Sequence, residues 1–221
     1  KVFQIPISID IDKFAFSTSV EEKINKKNII GINPNSFLIG SFQKDGQGWG
    51  PGNKPKLIKG PDIFLEVINR LKNKYPQVEV LLTGPARGFV KNGLKKLNVR
   101  YYHFDLKNFS DISTYYRCLN AYLVTSREEG GPRAILESMA SGVPIVTTKV
   151  GQAADLVKNE SNGWITEVGD IDSLVFWVER IINNEYSSKK ILTTARQVAL
   201  KNSYSSQEVL WRNFMQGFIE K

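Results

Sequence analysis

The chain has 221 residues, 41% of them hydrophobic, and a formal net charge of +8, so it can form one large α/β domain or two small ones. Its single cysteine, Cys118, excludes an internal disulfide and a cysteine-based metal cluster, and we expect a cytoplasmic protein. No apolar run approaches the roughly 20 residues of a membrane-spanning helix. Because the sequence begins with Lys1 and not with Met, we expect residues to precede it, and the lack of a signal peptide carries little meaning.

The positive charge has one plain interpretation and two sharper ones. Lysines scattered over a solvated surface account for it most simply. Attraction to an anionic membrane surface or to a phosphate-bearing substrate would also account for it. Nucleic acid is disfavoured as a partner, because the lysines do not alternate with aromatic residues as a base-stacking surface requires.

The first 35 residues are typical of a segment that leads into a domain. Lys1 to Phe14 is extended and apolar, and Pro6 argues against a helix, which predicts a strand or a linker. Glu21 to Asn28 is charged and weakly patterned, which predicts a short helix or a loop.

From Ser36 onward, short apolar runs alternate with amphipathic segments. The apolar runs predict strands at 36–42, 78–84, 99–104, 121–126, 144–148 and 163–168. The amphipathic segments predict helices at 62–74, 89–97, 111–119, 133–140, 172–183, 187–200 and 207–220. Strands separated by helix-length crossovers indicate βαβ units, and therefore an α/β fold: a Rossmann-like parallel sheet with helices on both faces.

This alternation divides the chain into three parts. Residues 1–35 form the arriving strand or linker and a short helix, 36–203 form the Rossmann-like domain, and 204–221 form a C-terminal helix. In such a sheet, ligands bind outside the carboxyl ends of the strands, where the strand order reverses. We therefore expect the functional residues in the loops that follow the strands.

The loop and helix after the fourth predicted strand carry the strongest functional signal. Glu129 lies beside Gly130 and Gly131, and Glu137 lies inside the helix that Pro132 starts. A glycine-rich loop at a helix N-terminus exposes N–H groups that favour phosphates and oxygen-rich ligands. Two carboxylates beside it suit a ligand with both hydroxyls and phosphates, such as a nucleotide sugar. The alternatives are two solvated glutamates and a glycosidase-like carboxylate pair.

A second glycine-rich loop, 43–60, follows the first predicted strand. It contains neither the dinucleotide-binding glycine pattern nor a P-loop, and a mobile surface loop is the alternative interpretation. Its glycines would let the backbone approach a phosphate closely. Lys59, which precedes Gly60 at the start of a helix, can reach a diphosphate at the strand end. Gln43 and Lys44 are further candidates at the beginning of the loop.

Two other strand ends give weaker signals. Gly84 to Arg87 is either an ordinary turn or a further wall of the pocket that carries the charge of Arg87. His103, the only histidine, favours a structural role over catalysis, since no Ser-His-Asp set and no histidine metal cluster can be assembled around it. Residues 101–106 can instead meet a flat nucleobase.

At these residues the chain resembles the C-terminal half of family 4 glycosyltransferases, which are retaining enzymes of GT-B fold. The resemblance covers nearly the whole chain. It runs through IPISIDIDKF, FLIGSF, LIKGPDIFLEVI, VLLTGP and VRYYHF to the segment between Glu129 and Glu137, and then through SMASGVPIVTTKVGQAADLV and NGWIT. It implies a UDP-, GDP- or ADP-sugar as donor, retention of anomeric configuration, and neither a metal nor another cofactor.

The resemblance also implies roles for individual residues. Glu129 would contact the transferred sugar, and Lys59 would neutralise the diphosphate leaving group, which makes these two the predicted catalytic residues. Glu137 would hold the ribose hydroxyls. Backbone N–H groups of Gly131 to Arg133 would meet sugar hydroxyls or the diphosphate. The other predicted donor-binding residues are Gly130, Gly131, Pro132, Arg133, Gly40, Ser41, Gln43, Lys44, Gly84, His103 and Phe104.

The chain departs from the family pattern at two points. Ser41 follows Gly40 where the family often has Arg. Either Lys44 or Gln43 is expected to take over the phosphate contact, or the glycine-rich insert reshapes the first loop. The family's N-terminal half, which binds the acceptor, has no counterpart here. We therefore expect the chain to bind donor but to transfer little sugar alone, while the missing half binds an acceptor glycan or lipid-linked glycan.

The helix at 207–220 would pack toward the missing half, leaving part of its apolar face exposed in this chain. That face carries Val209, Leu210, Phe214 and Phe218. A nucleotide-sugar epimerase of GT-B fold and a non-catalytic nucleotide-binding scaffold domain are the alternative functions. The charge of the chain adds the hypothesis of peripheral contact with the inner face of an anionic membrane.

Overall fold

The computed structural model describes residues 2–106, 108, 111–185 and 189–218. Its centre is a parallel sheet of six strands in the order β3-β2-β1-β4-β5-β6. The strands are β1 (Phe37–Ser41), β2 (Val78–Thr83), β3 (Tyr101–Phe104), β4 (Ala121–Val124), β5 (Ile145–Thr148) and β6 (Trp164–Thr166). The predicted fold class, a Rossmann-like parallel sheet with helices on both faces, is confirmed.

Helices lie on both faces of this sheet and build one apolar core on each. The helices of the described residues are α1 (Val20–Ile29), α2 (Pro61–Lys74), α3 (Gly88–Lys96), α4 (Ile112–Tyr116), α5 (Arg133–Ser141), α6 (Ala153–Leu156), α7 (Ile171–Ile182), α8 (Lys189–Lys201) and α9 (Tyr204–Met215). Side chains of α2, α3 and α7 fill one core, and those of α4, α5 and α8 fill the other. Successive strand residues alternate between the cores, as Leu38 and Ile39 do, because strand side chains alternate between faces.

The element boundaries depart from the predicted ones at the two ends of the chain. Residues 2–13 add no strand to the sheet, and a single bridge joins Ile9 to Ser203. Helix α9 begins at Tyr204, before the predicted residue, because the Ser203 side chain accepts from the N–H of Ser206 and caps the helix. The predicted start of the helix at 187–200 and the predicted end of the helix at 207–220 lie outside the described residues.

The N-terminal segment is nevertheless packed onto the domain. Ile9, Ile11 and Phe14 are buried in the core beside α4, α5 and α8. Arg196 of α8 donates to the carbonyl oxygens of Phe14 at 2.8 Å and of Ala140 at 2.6 Å, so one guanidinium ties this segment to α5. The proposed division of the chain at residues 35 and 203 stays a prediction.

The apolar face of α9 is partly uncovered. Val209, Leu210 and Phe218 are exposed, whereas Phe214 is half-buried against the ring of Phe3 at a centroid distance of 5.6 Å. That this helix packs toward a second domain stays a prediction.

The strand order reverses between β1 and β4, and this places the carboxyl ends of these two strands side by side. From β1 the chain crosses outward to β2 and β3, and from β4 it crosses the other way to β5 and β6. The loops that leave β1 and β4 therefore diverge and leave a crevice between them, which is where ligands bind in open α/β sheets.

Candidate functional site

A cleft of about 400 Å³ occupies this crevice. Gln43, Lys44 and Lys56 reach it from the loop after β1, and Glu129 and Gly131 reach it from the loop after β4. Its charged lining residues are four cations and two acids: Lys44, Lys56, Lys59, Arg133, Glu129 and Glu137. The excess of cations favours an anionic ligand, and the two carboxylates add acceptors for hydroxyl groups.

A close contact at Gly60 brings the two sides of the cleft together. Gly60 has φ 62°, and a Cβ atom there would lie 1.8 Å from the carbonyl oxygen of Thr125. The Thr125 hydroxyl in turn donates to the carbonyl oxygen of Gly60 at 2.8 Å. Only glycine combines this backbone conformation with this approach, and the contact brings Lys59 to the end of β4.

Lys59 and Glu129 form a partly buried ion pair across the cleft. Lys59 Nζ lies 2.5 Å from Glu129 Oε1, which also accepts from the Ser126 hydroxyl at 2.9 Å. Gln43 connects the same elements, since its Nε2 donates to the carbonyl oxygen of Lys59 at 2.9 Å. The two predicted catalytic residues therefore lie in direct contact.

Glu137 is the buried acid of the cleft. It lies one turn beyond Arg133 on the same face of α5, and its Oε2 accepts from the Tyr116 hydroxyl at 3.0 Å. Burial raises the pKa of Glu137 to about 7, while the Tyr116 hydrogen bond and the nearby Arg133 oppose that shift. Burial also raises the pKa of Tyr116 well above its ordinary value, so Tyr116 stays a neutral donor.

The structure brings most of the predicted site residues to this cleft. Glu129, Lys59, Glu137, Gly131, Pro132, Arg133, Gln43 and Lys44 all line it. The remaining predicted residues, Gly40, Ser41, Gly130, Gly84, His103 and Phe104, are not among its lining residues. Their part in ligand binding stays a prediction.

Several of the predicted residues outside the lining have structural contacts. Ser41 is buried and its carbonyl oxygen accepts from Arg87. The His103 ring nitrogen Nε2 lies 2.7 Å from the carbonyl oxygen of Gly84, and the ring of Phe104 stacks on Tyr115. Arg87, which the sequence placed at a turn or a pocket wall, is fully buried beneath the loop after β1.

Sequence reasoning missed three polar residues of this region. Lys56 lines the cleft because a short 3₁₀ helix, Leu57–Lys59, turns the chain between it and Lys59. Tyr122 also lines the cleft, and its hydroxyl accepts from the N–H of Phe42 at 2.9 Å. Tyr116, the partner of Glu137, lay in a predicted helix without a distinguishing signal. The three-residue spacing of Lys56 and Lys59 was the one available signal.

Besides this cleft, the described residues form other cavities. A larger open cavity of about 580 Å³ lies beside β6 and is lined by none of the predicted residues. The described residues contain no group of three or more His, Cys, Asp or Glu side chains placed to hold a metal ion. Within the same residues, no helix has both the length and the apolar character to span a bilayer.

The sheet, its strand order and the cleft at its switch point define a Rossmann-like domain of the kind that GT-B glycosyltransferases contain. The chain superposes on HepE from Anabaena, solved in complex with UDP-glucose, with a TM-score of 0.76 at 21% identity. That alignment covers 95% of this chain and 56% of HepE. The C-terminal domain of LpcC from Francisella tularensis, a glycosyl transferase group 1 protein, matches with a TM-score of 0.68 at 18% identity over 88% of this chain and 97% of that domain.

The chain belongs to the glycosyl transferases group 1 family, whose profile matches residues 55–198. An uncharacterized glycosyltransferase of Haemophilus influenzae is 30% identical over 77% of this chain and 50% of its own length. A UDP-Gal:alpha-D-GlcNAc-diphosphoundecaprenol alpha-1,3-galactosyltransferase of Escherichia coli is 27% identical over 84% of this chain and 46% of its own length. The chain therefore spans about half the length of these relatives.

The buried Glu137 predicts a specific pH dependence of stability. Its pKa is about 7 in the folded chain and near 4.5 ordinarily, so folding favours the protonated acid. Its contribution to the free energy of unfolding is fully present below about pH 4.5 and is lost as the pH rises through about 7. The loss is on the order of 3 kcal/mol, at 1.36 kcal/mol per pKa unit.

Urea unfolding of the native chain and of Glu137→Gln between pH 4 and 8 tests this expectation. The native chain should lose stability relative to the variant over that range, because glutamine cannot ionise. Glu66→Gln is the control, since Glu66 is only partly buried and pairs with Arg70 on the surface of α2. A constant difference between the native chain and Glu137→Gln at all pH values would contradict the buried, protonated state of Glu137.

Proposed function

We propose that the chain is the donor-binding domain of a family 4 retaining glycosyltransferase. In this proposal the whole protein transfers a sugar from a nucleoside-diphosphate sugar to an acceptor without a metal ion. The observation that carries the proposal is the cleft between the ends of β1 and β4, in which four cationic side chains and two carboxylates meet at the N-terminus of α5.

The contacts in the cleft support separate roles for its two acids. Glu137, once ionised, can accept hydrogen bonds from the two ribose hydroxyls, and the neutral Tyr116 hydroxyl holds it in place at 3.0 Å. Glu129, which pairs with Lys59, can accept from the hydroxyls of the transferred sugar. The alternative interpretation of Glu137 as a solvated surface residue does not fit its burial.

The cationic side chains suit the diphosphate. Three lysines, Lys44, Lys56 and Lys59, can contact its oxygens and neutralise the charge that develops as it leaves. A divalent ion has this role in metal-dependent enzymes. The backbone N–H groups of Gly131 and Arg133 lie beside these lysines at the start of α5, where the positive end of the helix dipole adds to the attraction. A diphosphate would compete with Glu129 for Lys59, so donor binding is expected to rearrange that pair.

The relatives support the kind of substrate in this proposal. HepE was solved with UDP-glucose, and the Escherichia coli relative is named for a UDP-Gal donor and a lipid-linked acceptor. We therefore propose a UDP-, GDP- or ADP-sugar as donor and a glycan or lipid-linked glycan as acceptor. Because the chain spans about half of its relatives, we propose that the acceptor is bound outside this sequence and that the chain alone transfers little sugar.

Neither alternative function gains support. The family description and the Escherichia coli relative name sugar transfer, which does not favour a nucleotide-sugar epimerase. The same names do not favour a non-catalytic nucleotide-binding scaffold domain, because each of them describes a transferase.

We propose a cytoplasmic protein with peripheral contact at the inner face of an anionic membrane, which the net charge of +8 supports.

A vesicle flotation experiment tests this membrane contact. The chain should float with anionic vesicles and not with neutral ones, because its positive charge is attracted only to the anionic surface. Equal recovery with both would contradict membrane contact through charge.

A panel of nucleotides tests the donor class and the metal requirement together. The melting temperature of the chain should rise with one of UDP, GDP or ADP or its sugar, because a ligand that binds only the folded state stabilises it. The rise should be the same with EDTA as with Mg²⁺, since lysines meet the diphosphate in this proposal. No shift with any nucleotide would contradict donor binding, and a shift that EDTA abolishes would contradict metal independence.

Glu137→Ala tests the ribose contact. Loss of a charge-assisted hydrogen bond costs roughly 1.5–3 kcal/mol, so the affinity for the nucleoside diphosphate identified by the panel should fall tenfold or more. Isothermal titration calorimetry at pH 8, where Glu137 is ionised, gives the affinity of variant and native chain. Glu66→Ala, on the outer surface of α2, is the matched control and should bind as the native chain does. Unchanged affinity in Glu137→Ala would remove this role.

A further inference from the structure

A buried ion pair lies beneath the loop that follows β1. Arg87 and Asp45 are both fully buried, and Arg87 Nη2 lies 2.9 Å from Asp45 Oδ2. The other terminal nitrogen of Arg87, Nη1, donates to the carbonyl oxygens of Ser41 at 2.7 Å and of Thr83 at 3.1 Å. One guanidinium therefore joins the end of β1, the end of β2 and the loop at residues 42–56.

This pair is poorly suited to raising stability. Asp45 Oδ1 and Arg87 Nε are buried without a hydrogen-bond partner among the described residues. A buried ion pair repays the loss of hydration only with good geometry and full hydrogen bonding, and apolar replacements are often as stable. The contribution of Asp45 and Arg87 is then to fix the position of the loop and not to raise the stability of the fold.

The loop closes on Asp45. The carbonyl oxygen of Asp45 accepts from the N–H of Lys56 at 2.7 Å, and the N–H of Gln47 donates to the carbonyl oxygen of Lys54 at 2.9 Å. A bridge between Gly46 and Pro55 lies between these bonds. The two arms of the loop are therefore hydrogen-bonded to each other at and beside Asp45.

A second attachment holds the tip of the loop to the turn that contains Arg87. The carbonyl oxygens of Pro51 and Gly52 accept from the N–H groups of Gly88 at 2.7 Å and Phe89 at 2.9 Å. Gly52 has φ 72°, and a Cβ atom there would lie 2.2 Å from the carbonyl oxygen of Ala86. The loop after β1 and the turn after β2 thus form one packed layer.

Two lysines of the cleft extend from this layer. Lys44 immediately precedes Asp45, and Lys56 is the residue whose N–H Asp45 binds. Lys44 Nζ also lies 3.6 Å from the ring centre of Trp49 in the same loop. A shift of Asp45 would move the backbone of both lysines. Lys59 is hydrogen-bonded to Lys56 through its N–H at 2.8 Å, but it has a further attachment to the end of β4 through Gly60.

We propose that Asp45 and Arg87 are positioning residues for the diphosphate of the donor: they hold the loop at 42–56 so that Lys44 and Lys56 face the cleft. The inference rests on the proposed function and deepens it, because neither residue is accessible to a ligand and both act through the two lysines. Lysines held in place before binding lose less freedom when the diphosphate arrives.

The test compares two ligands in the same variants. NMR titrations give the affinity of the chain for the nucleoside diphosphate selected by the panel and for the matching nucleoside, which lacks phosphates. Asp45→Asn and Arg87→Lys should each lower the diphosphate affinity at least fivefold and leave the nucleoside affinity unchanged. Arg87→Lys keeps the charge but cannot reach Ser41, Thr83 and Asp45 at once.

Two further variants distinguish a loss of positioning from a general effect of substitution on folding. The double variant Asp45→Leu with Arg87→Met removes both charges and leaves no unpaired buried ion, and it should show the same selective loss. Arg70→Met removes an arginine whose partners, Glu66 and Asp172, lie on the surface, and it should bind both ligands normally.

The ratio of the two affinities decides the outcome. An unchanged ratio of diphosphate to nucleoside affinity in folded variants would overturn the positioning role, since a merely structural effect changes the melting temperature without changing that ratio. If the native chain binds neither ligand, the proposed function itself fails, and that result is distinct from an unchanged ratio.

Discussion

The approach of Gly60 to Thr125 is the contact on which the cleft depends. A parallel sheet whose order reverses between β1 and β4 leaves a crevice there. The charges and hydrogen-bonding groups of that crevice come from side chains that follow both strands. The left-handed conformation of Gly60 and its contact with Thr125 start α2 directly beside the end of β4. Lys59 consequently lies against Glu129, and the two halves of the cleft are joined by an ion pair.

Around that contact, burial separates the charges into two environments. Glu137 lies deep, beside Tyr116, where the loss of hydration favours its neutral form. Glu129 and Lys59 are closer to solvent and compensate each other. The remaining cations, Lys44, Lys56 and Arg133, leave the cleft positive. A site with one deep acceptor and an excess of less buried cations fits a ligand that joins a ribose to a diphosphate.

The sequence predicted what depends on local pattern. Apolar runs and helical spacing located the strands and most helices, because burial on a parallel sheet imposes those periods. Glu129, Glu137 and Lys59 were identifiable from their glycine-rich and helix-starting neighbours. The buried ion pair of Arg87 was not, since its partners Ser41 and Asp45 lie more than forty residues away in the chain and no local period records that contact. Tyr116 was missed for the same reason, because it matters through Glu137 on another helix, whereas Lys56 had a local signal in its spacing from Lys59.

A crystal structure of the chain with the nucleoside diphosphate that stabilises it would show whether the donor binds in this cleft. We expect the ribose hydroxyls within hydrogen-bond distance of the Glu137 carboxylate, and the diphosphate against Lys59 and the N-terminus of α5, with Lys59 drawn away from Glu129. A nucleotide bound elsewhere, for example in the cavity beside β6, with Glu137 and Lys59 untouched, would contradict this expectation.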